Sequence, residues 1–174
     1  GGYTTANDGA GAVFIVDLSN LSNPVIKRNI RLPEWRTGAT EGVYTRAGQS
    51  VRGTADLRRI ATNTESGGFD KGAIYVMELD ADHNVTDSVR LFPAGTVGAD
   101  YLGTYMDMSE DGTVIAVSAV GYASFTGRVY IYARKNGTWA LETIIARPAG
   151  ETGPRFGTTV SLSGDGEWMA TACL

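Results

Sequence analysis

Three stretches of this chain carry one pattern: "AGQSVRGTADLRRIATNT" (47–64), "LGTYMDMSEDGTVIAVSA" (102–119) and "FGTTVSLSGDGEWMATAC" (156–173), at offsets of 55 and 54 residues. A period of this length constrains the fold more than any local propensity. Each unit must be one supersecondary element that buries its faces against copies of itself. Gly48, Gly103 and Gly157 align, as do Asp56, Asp111 and Asp165. Ile60, Ile115 and Met169 follow, then Ala61, Ala116 and Ala170.

Each unit has a second half. "GAVFIVDL" (11–18), "GAIYVMEL" (72–79) and "GRVYIYAR" (127–134) superimpose. A polar tip follows each, then the apolar runs "VIKRNIRLP", "VTDSVRLFP" and "LETIIARP", which end in Pro33, Pro93 and Pro148. One unit therefore predicts four short strands. Strand A lies near 48–54, 103–109 and 157–163, and strand B near 58–63, 113–118 and 167–172. Strand C is the "GAVFIVDL" type, and strand D is the run before the proline. The A–B link reads as a tight turn, "EDG" or "GDG", whose glycine supplies a positive φ. The 23 glycines and regular turn signals agree with many short strands.

Strand C predicts the packing. Val13 and Ile15 share one face, and Phe14 and Val16 the other. Ile74 and Val76 oppose Tyr75 and Met77, and Val129 and Ile131 oppose Tyr130 and Tyr132. One face is mostly β-branched and the other mostly larger. A strand apolar on both faces is covered on both. Four-stranded sheets that cover one another in series are the blades of a β-propeller. A β-sandwich is the alternative, and it gives no reason for the period. The expected fold is all-β: a propeller of four-stranded antiparallel blades, with about three units of 54–61 residues present. Residues 1–33 supply strands C–D of one blade, 34–46 an inserted loop, 47–93 and 94–148 two whole units, and 149–174 strands A–B of a further one. Three blades fall short of the usual four to eight. The chain therefore reads as part of a larger or multi-chain propeller, its expected partners being other chains or additional blades.

"FGTTVSLSGDGEWMATA", together with "GRVYIYARKNGTW", resembles the FG-GAP repeat, the blade unit of integrin α-subunit propellers and of many secreted microbial proteins. Phe156-Gly157 matches the "FG" element. "AVSAV" (116–120) and "ATACL" (170–174) stand where "AVGAP" is usual. The resemblance covers nearly the whole chain, most fully 102–148. It implies an extracellular or cell-surface, non-catalytic module for adhesion or structure that contacts proteins or carbohydrates. It also implies a place to look for Ca²⁺, since integrin loops bind it in the A–B turn through D-x-D/N-x-D-G. "DMSEDG" offers Asp107, Ser109 and Asp111, but Ile115 stands where the next acidic ligand belongs, and Arg52 replaces the first ligand in another unit. Plain hairpin turns are the expectation, with no metal or other cofactor.

The remaining candidates are weighed on their own residues. "DADHN" (80–84) spaces Asp80, Asp82 and Asn84 as an EF-hand does. It lacks the glycine, here Val85, and the closing Glu, here Leu91, so it reads as a C–D tip. His83 is the only histidine. At such a tip it is expected to be exposed. Cys173, the single cysteine, aligns with Ala119 and is expected to be a small buried packing residue. One cysteine excludes an internal disulfide.

Asn20, Asn84 and Asn136 each open an N-x-S/T sequon, all at C–D tips, and are glycosylation candidates in a secreted eukaryotic protein. No nucleophile-elbow, P-loop or paired-carboxylate motif appears. The enzymatic alternative is a hydrolase or lyase site built from loops, including 34–46 and regions outside this chain. A net charge of −4 gives no footprint for nucleic acid. No apolar run approaches the ~18 residues of a membrane span. "GGYTTANDGA" has neither an initiating Met nor a signal-peptide pattern, which reads as a processed chain or a fragment.

Overall fold

A computed structural model describes residues 11–31, 47–64, 72–95, 97, 100–150 and 153–174. The strands, in chain order, are β1 (Val13–Asp17), β2 (Val25–Ile30), β3 (Ala47–Gly53), β4 (Arg59–Thr64), β5 (Ala73–Leu79), β6 (Val85–Leu91), β7 (Leu102–Met108), β8 (Val114–Ala119), β9 (Arg128–Lys135), β10 (Thr138–Ala146), β11 (Thr159–Leu162) and β12 (Met169–Ala172). They pair as antiparallel sheets of two, four, four and two strands: β1–β2, β3–β6, β7–β10 and β11–β12. The chain is all-β in its sheets. The expected A-B-C-D order is that of β3-β4-β5-β6 and of β7-β8-β9-β10. The inserted loop expected at 34–46 lies outside the described residues.

The A–B turns are built alike from sequence upward. Gly112 and Gly166 hold φ of 68° and 72°, as the "EDG" and "GDG" readings require. In the preceding unit Leu57 occupies the same place at φ 51°. A hydroxyl and a carboxylate staple each turn. Thr54 Oγ1 donates to Asp56 at 2.7 Å, Ser109 Oγ to Asp111 at 2.6 Å and Ser163 Oγ to Asp165 at 2.5 Å. Each carboxylate also accepts a backbone N–H two residues on, from Arg58, Thr113 or Glu167. These are Asx-type turns, and they use short polar side chains for a local structural purpose.

The first strand of each four-stranded sheet starts with a break in register. Ala47 pairs with Thr64 and Val51 with Thr62; Leu102 pairs with Ala119 and Met106 with Val117. The extra residues leave backbone groups that buried side chains satisfy. Ser50 N–H donates to Asn63 Oδ1 at 2.7 Å, and Tyr105 N–H to Ser118 Oγ at 3.0 Å. Asn63 and Ser118 are fully buried, a cost that those bonds offset.

Three apolar layers join the four sheets. Val13, Ile15 and Ile30 pack on Ile60, Tyr75 and Met77. Ile74, Val76 and Leu91 pack on Met106, Met108, Ile115, Val117, Tyr130 and Tyr132. Ala116 and Val129, with Ile131, pack on Phe156, Val160, Leu162 and Met169. The β-branched face of one sheet thus meets the larger face of the next. β5 and β9 are covered on both sides, as their patterns predict. β1 is not: Val13 and Ile15 are buried, while Phe14 and Val16 are exposed at 51% and 39%. No described strand lies against that second face.

Glycines set the spacing between sheets. Gly103 (φ +89°) and Gly157 (φ +90°) occupy equivalent places, each against the sheet before it. A Cβ at Gly103 would lie 3.2 Å from Thr64 O, and one at Gly157 would lie 3.1 Å from Ser118 Cβ. Gly127 (φ +80°) is tighter still, because a Cβ there would overlap the Phe156 carbonyl oxygen. Gly127 and Phe156 form a parallel bridge between neighbouring units.

Two stability outcomes follow from this packing. Gly127→Ala combines a left-handed φ with a backbone overlap and is expected to cost on the order of 3 kcal/mol, read as a lower urea midpoint. Tyr132→Phe should do the opposite. The Tyr132 hydroxyl is buried without a hydrogen-bond partner among the described residues, and burial pushes its pKa up. Removing it at nearly constant shape is expected to stabilise by about 1 kcal/mol in the same measurement.

Candidate functional site

The turn that opens the first strand appears twice with the same bonds. In Tyr101-Leu102-Gly103-Thr104, Thr104 Oγ1 donates to Tyr101 O at 2.7 Å; in Arg155-Phe156-Gly157-Thr158, Thr158 Oγ1 donates to Arg155 O at 2.5 Å. Leu102 and Phe156 are buried anchors. Tyr101 and Arg155, one residue before each anchor, take φ of 52° and 62°. A positive φ at a bulky residue is strained, and it persists only where surrounding structure enforces it. Here the anchor and the threonine staple do so, and the strained residue is held outward.

A third strained segment meets these two. After β8, the chain makes a single turn at Tyr122–Phe125, with Ala123, Ser124 and Phe125 all at positive φ. Arg155 N–H donates to Phe125 O at 2.5 Å, and Phe156 N–H to Thr126 O at 3.0 Å, which ties this turn to the next unit. The Tyr101 and Phe125 rings stack, with centroids 6.0 Å apart and planes inclined by 25°. The Arg155 guanidinium lies 5.3 Å from the Phe125 ring centre.

Together they line a cleft of about 300 Å³ with Thr104, Tyr105 and Thr158. Tyr101, Tyr105 and Phe125 are each about two-fifths exposed. Among the described residues, no side chain that lines the cleft is acidic. Among the described residues, no carboxylate lies within ion-pair distance of Arg155. The cleft adjoins a second open space of about 550 Å³, lined by Gln49, Arg52, Thr104, Tyr105 and Thr159 from β3, β7, β11 and the turns that lead into them. Equivalent strands of three successive units thus face one space.

The residues singled out from sequence sit elsewhere. Asp107 bridges units: Arg52 Nε donates to its Oδ1 at 2.7 Å and Leu162 N–H to its Oδ2 at 2.7 Å. Arg52, which breaks the metal-ligand pattern, is therefore the partner of the residue that would have been a ligand. Ser109 and Asp111 are spent on their turn, where Asp111 also accepts from Thr113 Oγ1. Asp80 accepts from the N–H groups of Asp82 and Asn84 and from Asn84 Nδ2. Among the described residues, no group of three or more His, Cys, Asp or Glu is arranged to hold a metal ion.

Two expectations need correction. His83 is half-buried rather than exposed, and its Nδ1 is shielded without a partner. Its tip leans on the neighbouring hairpin, where Arg28 Nε donates to Asn84 Oδ1 at 3.0 Å. Cys173 is exposed rather than buried. Its counterpart Ala119 is fully covered because β8 lies between β7 and β9, whereas β12 pairs only with β11. Asn20, Asn84 and Asn136 all lie at exposed tips, between β1 and β2, β5 and β6, and β9 and β10. Asn136-Gly137, with φ of 51° and 84°, forms the two-residue turn between β9 and β10.

The cleft residues are not marked by the repeat, because they are what the units do not share. Tyr101 and Arg155 differ in chemistry at one repeated position, just before the buried anchor and glycine. That position was the available signal. No family model matches the chain, and no curated protein matches it.

The turn carboxylates predict an acid response. Hydrogen bonds from Thr54, Ser109 and Ser163 hold Asp56, Asp111 and Asp165 below the usual carboxylate value of 3.8. Their folded pKa values lie below the unfolded ones, so the unfolded chain binds more protons as pH falls. The stability they contribute is complete above about pH 4 and is lost as pH drops through the folded values. Denaturant midpoints measured from neutral pH downward are expected to stay level and then fall below about pH 4. Asp111→Asn, which cannot ionise, should make that fall shallower.

Proposed function

We propose that this chain is part or all of an FG-GAP-like β-propeller that acts as an extracellular, non-catalytic binding module. Its partners are further blades or chains that complete the ring, and the proteins or carbohydrates it contacts. The observation that carries the reading is the shared space lined from β3, β7 and β11, with non-repeated aromatic and arginine side chains gathered at its mouth. Equivalent first strands that face one axis are what a propeller requires, and ligand sites of propellers form where such loops converge. Support also comes from the open face of β1. Phe14 and Val16 hold the places of Tyr75 and Met77, which a preceding sheet covers in the next unit. The three exposed sequon tips suit a secreted protein.

The cleft also bears on the enzymatic alternative. Most glycoside hydrolysis uses paired carboxylates, and the described side chains lining this cleft include none. The full chain displayed against arrays of glycans and extracellular proteins tests the proposal. Saturable retention by a ligand that is recovered intact is the expected outcome. Ligand returned as cleaved product would overturn the non-catalytic reading.

A further inference from the structure

We propose that the Tyr101–Phe125–Arg155 cleft binds a carboxylate-bearing sugar, with the rings as platform and the guanidinium as anion clamp. The inference rests on the binding-module reading and names the ligand class of that site. Its first support is charge. Arg155 is exposed at the cleft, and among the described residues it has no carboxylate partner and meets no acidic side chain in the lining. A guanidinium offers donors in a planar fork that fits a carboxylate bidentately. In a chain of net charge −4, a lone cation at a recessed aromatic site selects an anion locally against the overall field.

The second support is shape. The stacked Tyr101 and Phe125 rings, with Tyr105 beside them, leave partly exposed aromatic surface in a recess of about 300 Å³. That is near the lower limit of ligand pockets and suits a compact cyclic ligand. Aromatic faces take up the apolar C–H face of a sugar ring, while phenol and threonine hydroxyls answer its hydroxyls.

The third support is what the backbone withholds. The carbonyls of Tyr101, Phe125 and Arg155 accept bonds from Thr104, Arg155 and Thr158. An extended acidic peptide binds by adding to a free strand edge, and these groups are already engaged. The strained φ values of Tyr101, Phe125 and Arg155 complete the argument. Three bulky residues at one cleft hold conformations that cost stability, which is the pattern of a preorganised site.

The test uses the full chain and four probes in calorimetric titration: trigalacturonate, its methyl ester, neutral galactotriose and a pentaglutamate peptide. Trigalacturonate is expected to bind saturably, with the methyl ester and neutral trimer at least roughly tenfold weaker. Arg155→Gln should reduce trigalacturonate affinity by roughly tenfold or more, and Arg155→Lys by less. Phe125→Ala should weaken all the sugars together. Lys135→Gln, at a distant hairpin end, should change nothing. Circular dichroism and thermal midpoints establish that each variant is folded. Because Phe125 shapes its turn, Arg155→Gln carries the decision if Phe125→Ala unfolds.

Absence of trigalacturonate binding, equal binding of the ester, or an unchanged Arg155→Gln would each overturn the proposal. Pentaglutamate binding as tightly as trigalacturonate would replace the sugar with an acidic peptide. Loss of the ligand class alone would leave other ligands retained on the arrays. Cleavage of trigalacturonate would instead overturn the non-catalytic reading while leaving the ligand class standing.

Discussion

The second, third and fourth sheets meet in series across backbone-to-backbone approaches that only glycine permits. Gly127 lies against Phe156, and Gly72 lies in the same way against Leu102. Gly103 and Gly157 return the contact from the other side, onto the second strand of the unit before. A methyl group at Gly72 or Gly127 would overlap the backbone of the next sheet, and one at Gly103 or Gly157 would press on the sheet before at 3.2 Å or 3.1 Å. The three apolar layers depend on that spacing, because dispersion contacts fall away within a fraction of an ångström. The glycines bring the sheets close enough for Val76 to seal against the following sheet and for Met77 to seal against the preceding one.

The same approach explains why polar groups are buried between the sheets. Strands β3 and β7 both begin with extra residues, and those breaks expose backbone donors and acceptors. Thr62, Asn63 and Ser118, all fully buried, close those valences. Asn63 serves both directions: its Oδ1 accepts from Ser50 within its own sheet and its Nδ2 donates to Gly103 O in the next. Arg59 makes a comparable link near the opposite end, through Glu78 Oε1 at 2.7 Å in its own sheet and Gly112 O at 2.8 Å in the next. The sheets are therefore registered at both ends by hydrogen bonds, while the apolar layers between them supply most of the driving force.

The cleft is a by-product of this geometry. The residue before each buried anchor has nowhere to go but outward, into the left-handed region. Repetition of the turn then brings the outward residues of adjacent units to one rim. Differences at that position change the chemistry of the rim without disturbing the packing beneath it. This is the general arrangement of variable loops on a fixed scaffold.

The period, the four-strand unit, the A–B glycines and the two-faced third strands were legible from residues alone. Each depends on local geometry or on alternation with period two, which a linear sequence displays directly. The fates of Asp107, Ser109 and Asp111 were not legible in the same way. Their spacing was visible, but the donors that claim Asp107, Arg52 and the Leu162 N–H, lie 55 residues away on either side. Cys173 and His83 were misread for a related reason: burial is set by neighbouring strands and tips, not by a residue's own position in a repeat. Tyr101, Phe125 and Arg155 come together only because a turn after β8 is hydrogen-bonded to the turn before β11. Sequence determined which elements form and which of their faces are apolar. Tertiary structure alone decided which unshared side chains meet at the rim, since that meeting rests on contacts between units.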